Sequence, residues 1–252
     1  MSLDWLPQEP GPRPPRFERV GRLTGGWLRP GGLELTRELL ALGAAHGPQP
    51  LGPVLDLGCG QGRSLRVLGH ELGIACLGLD QSRTMAEESR VHASVPVLQA
   101  EARRVPLGTR SCGGVLCECV LSLAPAANKV ANEVVDEIAR VLRPGGVLMV
   151  SDLYARRHSK EPVTAPDGTH CCLDGALPEE QWRGLVESSG LNVKLWRDCS
   201  PALTRLAAEL IFAHGSLQDF WQALLPPGRA CQAELRAKAV RPGYFFMIAK
   251  KR

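Results

Sequence analysis

The stretch Val54-Leu-Asp-Leu-Gly-Cys-Gly-Gln-Gly-Arg-Ser-Leu65 decides how the rest of the chain is read. A short apolar run leads into Asp56-x-Gly58-x-Gly60-x-Gly62, and an amphipathic segment from Arg63 to Leu72 follows. This order predicts a buried strand, a turn too tight for side chains, and a helix. Glycines let a ligand lie against bare backbone, and the first turn of a helix offers unpaired N–H groups. A turn of this kind at the carboxyl end of a strand is where an open α/β sheet binds a nucleotide-like cofactor.

Working outward, Leu33, Leu35, Leu39, Leu40 and Leu42 mark a helix that Gly47-Pro48 ends. Val54–Leu57 is the first expected strand, Ala75–Leu79 the second, closed by Asp80, and Val95–Gln99 the third. Ser82 is placed to cap a helix from Arg83 to Ala93. Gly114–Cys119 and Val147–Ser151 are the fourth and fifth strands. Between them Val130, Val134, Val135, Ile138, Val141 and Leu142 share one helical face, which Pro144-Gly145-Gly146 ends. Pro178–Ser189 reads as a helix, Leu191–Arg197 as a sixth strand and Tyr244–Ala249 as the last. Strands alternating with helices predict an α/β, doubly wound, seven-stranded and mostly parallel sheet with helices on both faces. A Pro/Gly-rich arm over residues 1–32 precedes a single domain over 33–252. Residues 199–243 form an insertion between the last two strands, with two amphipathic patterns, Leu203 to Ile211 and Leu217 to Leu225.

At 252 residues the chain can bury one α/β core with an elaboration, rather than two full domains. Its formal net charge of +4 is spread along the sequence, which gives no footprint for nucleic acid. No apolar run approaches the roughly 20 residues of a membrane span. The start, Met-Ser-Leu-Asp-Trp-Leu-Pro-Gln-Glu-Pro, carries no signal-peptide pattern, so a cytoplasmic protein without membrane partners is expected. Nine scattered cysteines without a Cys-x-x-Cys pair are then expected as free thiols, and not as a structural zinc site.

The glycines alternate, unlike the Gly-x-Gly-x-x-Gly of dinucleotide enzymes, and Arg63-Ser64 follows Gly62 where a phosphate loop carries Gly-Lys-Ser/Thr. The alternating pattern behind Asp56 resembles motif I of class I S-adenosylmethionine (SAM)-dependent methyltransferases. Further residues agree in order. Asp80 stands where that family's acid holds the ribose hydroxyls, and Glu101-Ala102 where an acid and a backbone N–H read the adenine edge. Val105-Pro106-Leu107 is similar to the family's Leu-Pro-Phe, and Arg140-Val-Leu-Arg-Pro-Gly-Gly146 to its pre-strand turn. The resemblance spans about residues 35 to 198 and again 244 to 250. It implies a Rossmann-like fold, SAM as cofactor and S-adenosylhomocysteine as product. The implied cofactor residues are Asp56, Gly58, Gly60, Gly62, Asp80, Gln81, Glu101, Ala102 and Cys117. Trp27 and Arg29 are expected to fold over the cofactor. Two departures stand out: Glu101 where Asp is commoner, and Ser111-Cys112-Gly113-Gly114 in place of Phe-Asp, expected to slacken that loop.

Cysteines point to the acceptor. Cys117 and Cys119 end the fourth strand, Cys171 and Cys172 follow His170 after the fifth, and Cys199 ends the sixth. That puts five of the nine thiols near the ligand face of a parallel sheet. Cys117-Glu-Cys-Val-Leu-Ser-Leu123, Ser151-Asp-Leu-Tyr-Ala-Arg156 and His170-Cys-Cys-Leu-Asp-Gly-Ala-Leu177 resemble segments of arsenite methyltransferases. The resemblance puts Cys119 and Cys172 on two thiolates that hold trivalent arsenic, a soft acceptor suited to sulfur. An arsenic(III) lone pair can attack the sulfonium methyl in line without a base, once the protein positions it. An oxygen or nitrogen acceptor calls for a base, with His158, His170 and Glu118 as candidates. Leu65 stands where that family has a further cysteine, and residues 199–243 replace its longer C-terminal region. The insertion is expected to roof the acceptor pocket, with Phe212, Phe220 and Trp221 making it partly apolar. Three readings stay open: methylation of a metalloid, methylation of a small metabolite on oxygen, nitrogen or sulfur, and binding without turnover.

Overall fold

In a computed structural model, the structure describes residues 29–123, 130–158 and 171–252. Among these, seven strands form one sheet: β1 Val54–Leu57, β2 Cys76–Asp80, β3 Val97–Gln99, β4 Cys112–Glu118, β5 Leu142–Ala155, β6 Leu191–Asp198 and β7 Pro242–Lys251. Their order across the sheet is β3-β2-β1-β4-β5-β7-β6. All neighbours run parallel except β7, which is antiparallel to both β5 and β6. The order reverses at β1, beside β4, so the crevice for a ligand opens at the carboxyl ends of these two strands.

Helices cover both faces. On one side lie α1 (Gly32–His46), α2 (Arg63–Arg66, which runs on through a π-turn over Val67–Glu71) and α3 (Arg83–Ala93). On the other lie α4 (Val130–Val141) and α5 (Glu179–Ser188). The period-two alternation of strands sorts the core between these layers. On β7, Tyr244, Phe246 and Ile248 join the α1 layer, while Phe245, Met247 and Ala249 join the α4 layer. Ser82 caps α3 as expected, its Oγ accepting the Met85 N–H at 3.4 Å.

Two local expectations fail. The helix over Val130 ends at Val141, and β5 begins at once, taking Pro144-Gly145-Gly146 into the strand. It can begin so early because β4 already runs at Cys112, which pairs with Leu142 ahead of a register shift at Gly114. Nor is the Ser111–Gly114 loop slack. The Gly113 and Gly114 N–H groups both donate to the Pro53 carbonyl, at 2.9 and 3.4 Å. A side chain on Gly113 would overlap the Leu51 carbonyl oxygen.

Residues 199–243 hold three helices rather than the two that the apolar pattern gave: α6 Ser200–His214, α7 Leu217–Leu224 and α8 Pro227–Val240. The third escapes a hydrophobic-period reading because its buried face is built largely of small residues, Ala230 and Ala233, before Val240. The insertion is fastened where it leaves and returns. Cys199 N–H donates to Tyr244 O at 2.7 Å, and Arg157 N–H to Val240 O at 3.0 Å. A third fastening is the nearly buried ion pair of Arg229 on α8 with Asp174, at 2.6 Å. Among the described residues no helix is long and apolar enough to cross a membrane.

The tight contact at Gly113 yields a test. Gly113→Ala should destabilise the fold by about 1–3 kcal/mol, the usual cost of overpacking. Chemical denaturation checks this; an unchanged midpoint would show that the loop yields after all.

Candidate functional site

The turn after β1 is built from its hydrogen bonds. Gly58 and Cys59 N–H groups both donate to Leu79 O on β2, at 2.7 and 3.0 Å, and Gly62 N–H closes onto Cys59 O at 2.9 Å. This path requires φ of +75° at Gly58, +51° at Gly60 and +77° at Gly62, a region other residues rarely adopt. At the end of β2, Asp80 secures the turn. Its Oδ2 accepts the Gly60 N–H at 2.9 Å and its Oδ1 the Ser82 N–H at 2.8 Å. Burial raises the Asp80 carboxyl, and those two N–H groups oppose the shift.

Strand alternation then places Asp56 on β1, Glu118 on β4, Ser151 on β5 and Tyr244 on β7 toward the α1 layer, in step with Val54, Leu116 and Met149. Glu118 sits at a junction. It takes a 3.0 Å ion pair from Arg29 Nη2, and hydroxyl hydrogen bonds from Ser64 at 2.8 Å, Thr36 at 3.1 Å and Ser151 at 3.3 Å. Arg29 Nη2 also donates to the Thr36 and Ser64 hydroxyls, at 2.6 and 2.8 Å.

Asp56 lacks such a partner at one of its oxygens. Only 3% exposed, it keeps a buried Oδ2 with no hydrogen bond. Its carboxyl is pushed up to about 8, first by burial and then by the charge of Glu118, with Arg29 opposing and Asp80 adding to the shift. A buried carboxylate without a partner is costly.

Beyond Glu118 the thiols begin. Cys119 turns through φ +55°, with its N–H on Ser151 O at 2.8 Å. Its Sγ lies 3.5 Å from Tyr244 Oη, which donates onward to Ser151 Oγ at 3.0 Å. Burial drives the Cys119 thiol far above its ordinary range, and Asp152 adds to it. Cys172 is raised in the same way, by burial first, then by Cys171, Cys119 and Asp152. The fold thus brings Cys119 and Cys172 near one another, beside a fully buried Asp152 that burial holds at about 6. Both thiols pack on the apolar layer that includes Leu225, Ala230 and Ala233 of the insertion. Asp174, the partner of Arg229, also accepts the Cys171 N–H at 2.7 Å, so α8 and the cysteine loop are held together.

Other sequence candidates fall differently. Gln81 is exposed at the end of β2, and Ala102 is half-buried. Glu101 is exposed and paired with Arg103 at 2.8 Å, in an open cleft with Arg104 and Glu133. Cys117 is fully buried in the α4 layer, facing away from Asp56 and Glu118. Cys119, Cys171, Cys172 and Cys199 share the α1 layer, while Cys117, also at the carboxyl end of β4, packs on the opposite side of the sheet. Leu65 is fully buried. Phe212 does not line the roof: it is 95% exposed, while Phe220 is buried against Trp221 at 5.2 Å. His158 pairs with Glu180 at 2.7 Å on the surface. Trp27 and His170 lie outside the described residues. Thr36, Ser64, Ser151, Asp152 and Tyr244 were not singled out as site residues from sequence, although alternation from Asp56 and Glu118 marks Ser151.

Residues 55–150 match the family described as "Methyltransferase domain". Over 206 residues the chain is 34% identical to the uncharacterized methyltransferase YodH of Bacillus subtilis (strain 168), covering 78% of this chain and 80% of that one. It is 28% identical over 148 residues to an arsenite methyltransferase of Halobacterium salinarum, covering 55% of this chain and 37% of that protein. The Haemonchus contortus phosphoethanolamine N-methyltransferase 2 structure, in complex with S-adenosyl-L-methionine, has a TM-score of 0.67 at 18% identity, over 93% of this chain and 56% of that one. The chain belongs to the class I SAM-dependent methyltransferases.

SAM is therefore its cofactor, and the residues present fit it. SAM carries a sulfonium and an ammonium, and the buried Asp56 Oδ2 is an acceptor still lacking a partner. The glycine turn presents backbone rather than side chains beside it.

The raised Asp56 carboxyl makes this fit testable. A cationic ligand favours the ionised form, so binding below pH 8 must expel a proton from Asp56. Affinity is then highest above pH 8 and is lost as pH falls. Between pH 6.5 and 8.5 the SAM affinity of the wild type should rise about tenfold more than that of Asp56→Asn, measured by titration calorimetry. Equal slopes would refute the assignment.

Proposed function

We propose that this enzyme methylates a small acceptor held beneath α6–α8, and that the acceptor is a thiophilic metalloid such as arsenite, bound between Cys119 and Cys172. The observation that carries this reading is the proximity of those two thiols, Cys119 just past the end of β4 and Cys172 in the loop after β5. Both are raised well above their ordinary values, so both are neutral near pH 7. Neutral thiols suit a neutral acceptor. Arsenous acid condenses with them as each S–As bond forms, an As–O bond breaks and water departs with the thiol proton. No charge is buried in the process.

When bound, SAM would supply an electrophilic methyl on a sulfonium, a group that an arsenic(III) lone pair would attack without the help of a base. The protein's own part is positioning. Cys119 and Cys172 hold the acceptor, Tyr244 holds the Cys119 sulfur, and Asp80 and Asp56 fix the cofactor's two ends. The insertion excludes water, its helix α8 tied to the cysteine loop through Asp174 and Arg229. An oxygen or nitrogen acceptor needs a base, and of the candidates among the described residues Glu118 is committed to Arg29 and His158 to Glu180, while His170 lies outside them. The cysteines are free thiols, a state that suits the reducing cytoplasm in which we place the reaction.

The test is methyl transfer from SAM to arsenite in the presence of a small thiol, following S-adenosylhomocysteine. Wild type should turn over, and Cys119→Ser and Cys172→Ser should each lose at least about tenfold, as expected when one of two holding groups is removed. Equal background rates in all three would remove the metalloid from consideration and favour a small organic acceptor. Binding of SAM without product from any acceptor would favour the binding-module reading.

A further inference from the structure

Two buried polar atoms close to the glycine turn have no hydrogen-bond partner, and they are of opposite kind. Asp56 Oδ2 is a buried acceptor with no donor, and Arg29 Nε is a buried donor with no acceptor. Each group lies within electrostatic reach of the other, but the two do not hydrogen-bond. Unsatisfied buried groups are rare because each forfeits its hydration without return. Two such groups at one site, a guanidinium and a carboxyl that a cationic ligand would ionise, are the complement of a ligand carrying both charges.

Arg29 is unusually well fixed for such work. It stands just before α1, outside every motif of the glycine-turn region, yet its side chain is only 16% exposed. Three acceptors, Glu118, Thr36 and Ser64, are all served by a single nitrogen, Nη2. They anchor the guanidinium without using its Nε–H. If Arg29 served only to neutralise Glu118, nothing would require a second donor to be buried beside Asp56.

We propose that Arg29 binds the carboxylate of the cofactor's amino-acid end, with Asp56 at its ammonium, so that the pair reads a zwitterion. Glu118, Thr36 and Ser64 act as positioning residues that hold the guanidinium. The inference rests on the cofactor alone and is independent of the methyl acceptor.

The test compares SAM with decarboxylated SAM, which keeps the sulfonium and the ammonium but lacks the carboxylate. Binding is read by titration calorimetry, without turnover. Wild type should bind SAM at least about tenfold more tightly than decarboxylated SAM, the scale of one charge-assisted hydrogen bond. Removing the Arg29 charge outright leaves Glu118 buried and unpaired, so the informative variant is Arg29→Lys, which keeps a cation for Glu118 but has no Nε–H. It should bind decarboxylated SAM as the wild type does and lose most of the preference for SAM. Equal wild-type affinity for the two ligands would overturn the proposal. So would an Arg29→Lys variant that weakens both ligands equally, the mark of a purely structural role, or one that weakens neither. Failure of the wild type to bind either ligand would instead contradict the cofactor itself.

Discussion

The structure turns on negative charge buried at the carboxyl edge of its sheet. Asp56 and Glu118 occupy positions on β1 and β4 that alternation directs into an otherwise apolar layer. Glu118 is compensated by Arg29 and three hydroxyls; Asp56 feels Arg29 at a distance, but its buried Oδ2 has no hydrogen bond. A carboxylate left this way destabilises the free protein, and such sites persist where a ligand supplies the missing charge. The neighbouring features follow from this one. Asp80 is held to backbone N–H groups, so it fixes the glycine turn while leaving Asp56 uncompensated. The Cys119 and Cys172 thiols, raised first by burial and then by neighbouring charge, stay neutral.

The antiparallel β7 makes the second half of the site. Pairing with β5 and β6 at once, it brings Tyr244 beneath Cys119 and returns the chain from the insertion to the ligand edge. The three helices of residues 199–243 therefore begin and end on that edge. The Asp174–Arg229 pair links α8 to the loop that bears Cys171 and Cys172. A buried pair of this sort is weak as a source of stability but strict as a specifier of position. Acceptor thiols and roof are thus set relative to each other rather than independently.

Much of this was legible in the sequence. The spaced glycines could be read because only a left-handed turn needs them, and Asp80 because its spacing from that turn matches the family's acid. The doubly wound, mostly parallel sheet followed from the alternation of elements. What escaped had no local signature. Helix α8 buries alanines, which leave a faint period. Phe212 looks like a pocket residue in sequence, yet it sits on the outer side of α6. Gly113 looks like slack in a loop, but it marks a close approach of two backbones that only the folded sheet creates. Arg29 and Thr36 meet Glu118 across more than 80 residues of chain, and no spacing rule reaches that far.

The central claim is that Asp56 is an uncompensated buried acid in the free enzyme, and the stability of that enzyme tests it most directly. A carboxyl raised from 3.8 to about 8 in the fold costs stability progressively as pH rises from 4 to 8, and the loss then levels off. Asparagine has the same shape and no charge to bury. Thermal unfolding without cofactor should therefore find Asp56→Asn close to the wild type near pH 5, more stable than it at pH 8.5, and diverging steadily in between. An Asp56→Asn protein that is less stable than the wild type at pH 8.5 would contradict the account.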